Sequence, residues 1–294
     1  MNSISKIKEE NESNYWIWNG FKIYWSVKGK ENKFPIILRH GFGASSKHWR
    51  KNPNYFANKG YSVYTLDLIG FGNSAQPGIK EIGKLDNGIW CKQVNDFIRQ
   101  IIRPKTSNKV ILIGNSLGSL VALTCAVYLK NEILSVIASP LPDPLVIRRK
   151  KSKYNSIFEK FKIQLIKIFF RLFPLEIVLF LINKLGIIKL GLKSAYFKKD
   201  NIDQELINII RKPVLRKTAA RSLRAMCIGM STRVEGLKSS YLLENLSHSK
   251  KVPFLLLWGE KDNFIPLFLG KKIANFHRWV KLKIVSNSGH CIHD

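Results

Sequence analysis

VILIGNSLGSL, residues 110–120, runs apolar to Ile113, turns through Gly114-Asn115-Ser116-Leu117-Gly118 and continues with helical character. Its short, β-branched start reads as a buried strand. A serine with glycine two residues away on both sides, set between a strand and a helix, is the nucleophile-elbow pattern. The turn is so sharp that side chains at 114 and 118 would collide, and glycine removes them. Ser116 then presents its hydroxyl at the carboxyl end of the strand. The helix N-terminus beside it favours developing negative charge. A glycine-rich turn with a serine helix cap would look the same, so the serine's partners decide between the two.

The strand at 110 has counterparts along the chain. FPIILRHG (34–41), YSVYTLDLIGFG (61–72), ILSVIASPL (133–141), VPFLLLWGEKD (252–262) and VKLKIVSNSGH (280–290) are continuous apolar runs. Strands buried on both faces of a parallel sheet have this composition. YWIWNGFKIYWSVK (15–28) alternates instead around Asn19-Gly20, which predicts a tight antiparallel hairpin. Helical patterns at 89–102 and 119–133 fall between strands, so the expectation is an open, mostly parallel sheet with helices on both faces. From 144 to about 248 no convincing strand occurs. SIFEKFKIQLIKIFFRLF (156–173) and NIDQELINIIRKPVLRK (201–217) carry helical periodicity. A helical block between two strands of one sheet predicts an inserted cap at 141–248, with 1–140 and 249–294 as the core.

A serine nucleophile needs a base, the base needs an orienting acid, and the oxyanion needs donors. His290, in NSGH after the last predicted strand, is the expected base, with His293 as rival. Asp262, in the WGEKD turn after the preceding strand, is the expected acid, with Asp143 in SPLPDP as rival. The turn in HGFGASS (40–46) offers the backbone N–H of Phe42, which with that of Leu117 would form the oxyanion hole. Gly41 and Gly43 would let this loop approach, and His40 reads as a structural imidazole. There is no HExxH, Walker A loop or GxGxxG, so neither metal nor organic cofactor is expected.

The chain carries 49 Lys+Arg against 20 Asp+Glu, a formal charge of +29. Such a field favours anionic partners, although a genome-wide bias toward Lys, Ile and Asn gives the same charge with no partner. No nucleic-acid motif accompanies it, so no nucleic-acid partner is expected. The charge concentrates at 148–171, where Arg148, Arg149, Lys150, Lys151, Lys153 and others interleave with Phe161, Leu165 and Phe169. A basic amphipathic segment of this kind can lie on an anionic membrane. The competing expectation is a cap helix that packs its apolar face inward and shows lysines to water. No stretch reaches the roughly 18 apolar residues of a membrane span. Cys91, Cys125, Cys227 and Cys291 are scattered, and MNSISKIKEENESNYW has no apolar signal region. Reduced thiols and a cytoplasmic location, peripheral to a membrane if the basic segment binds one, are the expectations.

HGFGASSKHW (40–49), DLIGFGNSAQP (67–77), GNSLG, LLLWGEKDNFIP (255–266) and NSGH, in this order, resemble the α/β-hydrolase superfamily from about Trp16 onward. The resemblance implies an α/β fold with a mostly parallel eight-stranded sheet and an inserted helical cap. It implies Ser116 as nucleophile, Asp262 as acid, His290 as base, Phe42 and Leu117 as oxyanion donors, and Gly114 and Gly118 as elbow glycines. Within the superfamily, WIWNGFKIYWSVKG (16–29), HWRKN (48–52) and DLIGFGNSAQP resemble a cyanobacterial and plastid group related to pheophytinase and chlorophyll dephytylase, which cut the phytol ester of chlorophyll pigments. The function implied is cleavage of a lipophilic carboxylic ester through an acyl-enzyme. Epoxide hydrolases and haloalkane dehalogenases resemble this scaffold but carry aspartate at the elbow, where this chain has serine. C–C bond hydrolases, thioesterases and perhydrolases keep the serine and stay open, as does a non-catalytic ligand-binding protein of the same fold. In this fold a helix normally follows the histidine loop, whereas four residues follow His290 here. Without that helix, exposed sheet-face residues, a looser His290 loop and reduced activity are expected.

Overall fold

A computed structural model describes residues 12–32, 34–143, 156–184, 186–249 and 252–294. Arg148 to Lys153, part of the basic segment, lie outside the described residues. The strands are β1 (Glu12–Trp18), β2 (Phe21–Lys28), β3 (Phe34–Arg39), β4 (Tyr61–Leu66), β5 (Val110–Asn115), β6 (Ile133–Ser139), β7 (Phe254–Gly259) and β8 (Lys281–Val285). They form one eight-stranded sheet in the order β1-β2-β4-β3-β5-β6-β7-β8. β2 is antiparallel to β1 and to β4, and every other neighbouring pair is parallel.

The β1–β2 hairpin turns through Asn19 and Gly20, with φ of 47° and 78°. Positive φ at both positions makes the tight turn whose twist matches the strands. The alternation in β1 buries Trp16 and Trp18 and leaves Tyr15 and Ile17 outside. The Trp18 indole N–H donates to Asp96 at 2.8 Å, so burial leaves no indole donor unpaired there.

Between β3 and β7 run α1 (Asn52–Ala57), α2 (Ile79–Ile82), α3 (Asn87–Phe97), α4 (Leu117–Tyr128), α5 (Ser156–Leu172), α6 (Leu175–Lys184), α7 (Ile187–Ala195), α8 (Gln204–Val214), α9 (Ala219–Ser231) and α10 (Ser239–Ser249). α11 (Leu267–Phe276) joins β7 to β8. α3, α4 and α10 bury one face of the sheet in the main core. α4 is buried nearly all round, as its apolar sequence requires. α1 and Trp49 cover Ile36, Leu38 and Val63 on the other face, where Ile111 and Ile137 stay half-buried.

No strand occurs between β6 and β7 among the described residues. α10, which the sequence assigns to the cap, instead packs on α4 and puts Leu242, Leu243 and Leu246 into the main core. Its apolar face and that of α4 are complementary, and sequence periodicity does not reveal such pairing.

The carboxyl ends of β3 to β8 point the same way. There they place the His40 loop, Asp67, Ser116, Asp143, Asp262 and His290. Open parallel sheets bind their ligands at this edge. Beneath it, Trp258 is fully buried, donates its indole N–H to the Ile265 carbonyl at 2.8 Å and lies so close to Gly270 that a Cβ there would stand 2.6 Å from its ring. Trp258→Ala should therefore cost about 3–5 kcal/mol. Urea unfolding should show this as a lower midpoint with an unchanged slope.

Candidate active site

Ser116 adopts φ 51° and ψ −114°, a conformation that side-chain-bearing residues rarely hold. Its neighbours enforce it. The Ser116 N–H donates to the Ser139 carbonyl at 2.8 Å, and its own carbonyl accepts from the N–H groups of Ser119 and Leu120. The Ser119 hydroxyl donates to the Gly114 carbonyl at 2.8 Å and accepts from the Ser139 N–H at 2.7 Å. The two glycines answer to different obstacles. A Cβ at Gly114 would stand 2.3 Å from the Gly118 carbonyl oxygen, whereas one at Gly118 would stand 2.4 Å from the carbonyl oxygen of Arg39 on β3.

The His290 Nδ1–H donates to Asp262 Oδ2 at 2.9 Å, and both side chains are buried. The other oxygen of Asp262 accepts from the Phe264 and Ile265 N–H groups at 2.8 and 2.9 Å. The carboxylate is thus held from both sides and can fix the imidazole tautomer. Ser116 and His290 line one pocket. No hydrogen bond joins them among the described residues.

The rival residues lie elsewhere. Asp143 accepts from the N–H and hydroxyl of Ser239, at the start of α10, and pairs with Arg233 at 3.3 Å. His293 is half-buried with its ring against His48 and Trp49, and removal of its ring nitrogens from water pushes its pKa well below the ordinary histidine value.

Gly41 and Phe42 lie against the elbow: a Cβ at Gly41 would stand 2.9 Å from Asn115 Oδ1 and 3.3 Å from Ser116 Cβ. Gly43 differs from expectation. Nothing crowds it, and its φ of 71° is what selects glycine. The loop is fixed by two residues behind it. Asp67, fully buried, accepts from Ser46 N–H at 2.6 Å and Asn73 N–H at 2.7 Å. His40 Nε2 accepts from the Leu68 N–H at 3.1 Å, so Nδ1 carries the proton and donates to the Gly41 carbonyl at 2.8 Å.

Sequence reasoning passed over Asn115, the variable position inside GNSLG. Its amide donates to the Ser139 carbonyl at 2.9 Å and the His290 carbonyl at 3.1 Å, tying the elbow to the histidine loop. It also passed over His48, Tyr196 and Arg50. The Tyr196 hydroxyl donates to Asp294 at 2.8 Å, so its oxygen accepts from His48 Nε2–H at 2.6 Å. Arg50 grips both oxygens of Asp294 at 2.8 and 2.6 Å. The His290 N–H donates to the Ala195 carbonyl at 2.7 Å. The loop expected to be loose is therefore held by side chains distant in sequence, a reinforcement that no local motif announces.

Two apolar cavities meet at Ser116. One, of about 290 Å³, includes His48, Ile188, Leu192, Phe264 and His290 in its wall. The other, of about 350 Å³, includes Trp90, Leu117, Phe170, Met226 and Met230. Phe42 lines both, its ring exposed at the junction. A larger cavity of about 460 Å³ lies at the opposite, amino end of β6 to β8, away from Ser116. No group of side chains suited to a metal ion occurs among the described residues.

The family model described as serine aminopeptidase, S33 matches residues 30–293. The chain belongs to this α/β-hydrolase family. Among curated relatives, the hydrolase is 24% identical to epoxide hydrolase 4 of Mus musculus over 287 residues, covering 92% of this chain and 72% of that protein. Among solved structures, Cfl2 from Burkholderia cenocepacia superposes with a TM-score of 0.72 at 16% identity, covering 96% and 90% of the two chains. A thermophilic esterase from Thermogutta terrifontis gives 0.65 at 16% identity, covering 95% and 91%. At such identities these structures share the fold with the hydrolase.

The buried histidines make its stability depend on pH. Burial lowers His40 and His48 from the usual 6.5 to about 4. Between these values the unfolded chain binds protons that the folded chain does not, so stability is full above the unfolded value and falls as pH drops toward 4. The expected fall is roughly 1.4 kcal/mol per pH unit for each histidine. Urea midpoints measured from about pH 7 down to about pH 4.5 should show it, and His48→Gln should make the fall shallower.

Proposed function

We propose that this hydrolase cleaves a lipophilic carboxylic ester through Ser116, His290 and Asp262, with the helices α5 to α9 as its cap. The observation that carries the proposal is the buried 2.9 Å His290–Asp262 bond facing a pocket that also holds Ser116 in its strained turn. His290 takes the Ser116 proton as the hydroxyl attacks the carbonyl. The Phe42 and Leu117 N–H groups receive the oxyanion, each donor contributing about 3–4 kcal/mol to the transition state. His290 then gives the proton to the leaving alkoxide, and water repeats the sequence on the acyl-enzyme. Asp262 keeps the Nδ1–H tautomer and stabilises the imidazolium.

The two cavities divide the substrate. The leaving oxygen must reach His290, so the alcohol part occupies the cavity that His290 lines. The acyl part then occupies the cavity of Trp90, Met226 and Met230. Both walls are mainly apolar, which favours an ester with hydrophobic groups on both sides. A phytol ester of a pigment is one member of that class. Peripheral contact with an anionic membrane belongs to the same proposal.

A second reading, epoxide opening, is favoured by the name of the mouse relative. Serine at position 116 counts against it, because an alkyl ether formed on serine has no carbonyl for water to attack.

The test is a panel of esters graded separately in acyl and alcohol length, with a pigment ester and an epoxide included. Wild type should cleave esters and leave the epoxide intact. Ser116→Ala should lose activity by about 10⁴-fold or more, and Asp262→Asn by about 10⁴-fold in kcat. Met226→Trp should lower kcat/KM about 10- to 100-fold for long acyl chains only, and Leu192→Trp likewise for bulky alcohols only. Ester cleavage that survives Ser116→Ala, or epoxide opening without ester cleavage, would contradict the proposal.

A further inference from the structure

Helix α5 packs on α9 through one side, with Ile163, Ile166 and Phe170 half-buried, and shows a second apolar row to the outside. Phe161, Leu165, Ile168 and Leu172 recur at helical spacing, and all are exposed, Leu172 at 78%. On α6 the same surface character continues with Ile177 and Phe180, and on α7 with Leu190 at 67% exposure. Single exposed apolar side chains are ordinary, but this many on three successive helices mark a partner. No helix among the described residues is long and apolar enough to cross a membrane.

The charge around these side chains selects the partner. Lys160, Lys162, Arg171, Lys184, Lys189 and Lys193 are all exposed on the same three helices. Lys184 Nζ lies over the Phe180 ring, 5.9 Å from its centre, so positive charge and apolar surface stand side by side there. The acid at position 176 is engaged by Arg224 at 2.9 and 3.1 Å. A second copy of the chain would bring the same cations against these ones, and like charges at close range oppose association.

We propose that α5 to α7 form a docking surface for an anionic lipid bilayer. The lysines and Arg171 meet lipid phosphates, while Phe161, Leu165, Leu172 and Phe180 enter the acyl boundary. The docking helices also wall the two cavities at Ser116, through Phe170 on α5 and through Ile188 and Leu192 on α7. A lipophilic ester would thus pass from the bilayer into the site without crossing water, a consequence that rests on the ester reading.

The test uses the full chain carrying Ser116→Ala, sedimented with vesicles of phosphatidylcholine alone or mixed with phosphatidylglycerol. Binding should be at least about tenfold tighter to the mixed vesicles and should weaken with salt. Adding Leu172→Ser and Phe180→Ser should weaken it about tenfold or more. The same two substitutions with Ser116 intact should leave hydrolysis of a short, water-soluble ester unchanged, which shows that the fold is retained. No binding to mixed vesicles, or binding indifferent to the two substitutions, would overturn the docking surface. So would a dimer in solution that these substitutions dissociate. A wild type that binds vesicles but cleaves no ester would support docking and overturn the ester reading and the entry route.

Discussion

The site depends on one backbone constraint: Ser116 is held at a positive φ between a strand and a helix that nearly touch. Such a conformation costs of order 1–3 kcal/mol and persists only when the surroundings over-determine it. Here they do. Gly114 lets the end of β5 meet the start of α4, and Gly118 lets α4 meet β3. The hydroxyl of Ser119 and the backbone of Ser139 then brace the turn from β6. The elbow is therefore a junction of three strands and a helix, and each neighbour at Ser116 is attached to it.

That junction orders the rest of the site. Asn115 extends from the elbow to the backbone of His290 and ties the strand end at β5 to the one after β8. Asp67 and His40 set the loop of Gly41 and Phe42 against Ser116 from β3 and β4. Asp262 anchors the imidazole of His290 after β7. Every strand that contributes a site residue does so at its carboxyl end, so the parallel sheet fixes relative positions that no loop would hold alone.

Much of this was legible in the sequence because it is local. Continuous apolar runs ending in glycine, aspartate or histidine mark the strand ends, and Asn19-Gly20 marks the hairpin turn. Ser116, Asp262 and His290 each stand inside a short motif. What stayed hidden depends on contacts between distant segments. Nothing near Tyr196 in sequence indicates that it meets His48 and Asp294, and nothing near α10 indicates that its leucines fill the core beside α4. The outward apolar stripe of α5 was legible as amphipathic, but sequence alone does not say which of its faces points to solvent. Helices α5 to α9 pack mainly on one another rather than on a shared sheet, so periodicity constrains their arrangement least.

If this geometry activates Ser116 as a nucleophile, its hydroxyl should react with an electrophile that ordinary serines ignore. Reaction of the folded protein with a fluorophosphonate, followed by peptide mass mapping, tests it most directly. One phosphonylated residue, Ser116, is expected, with labelling abolished by Ser116→Ala and strongly slowed by His290→Ala. A folded protein that does not react, or one labelled only at another residue, would contradict it.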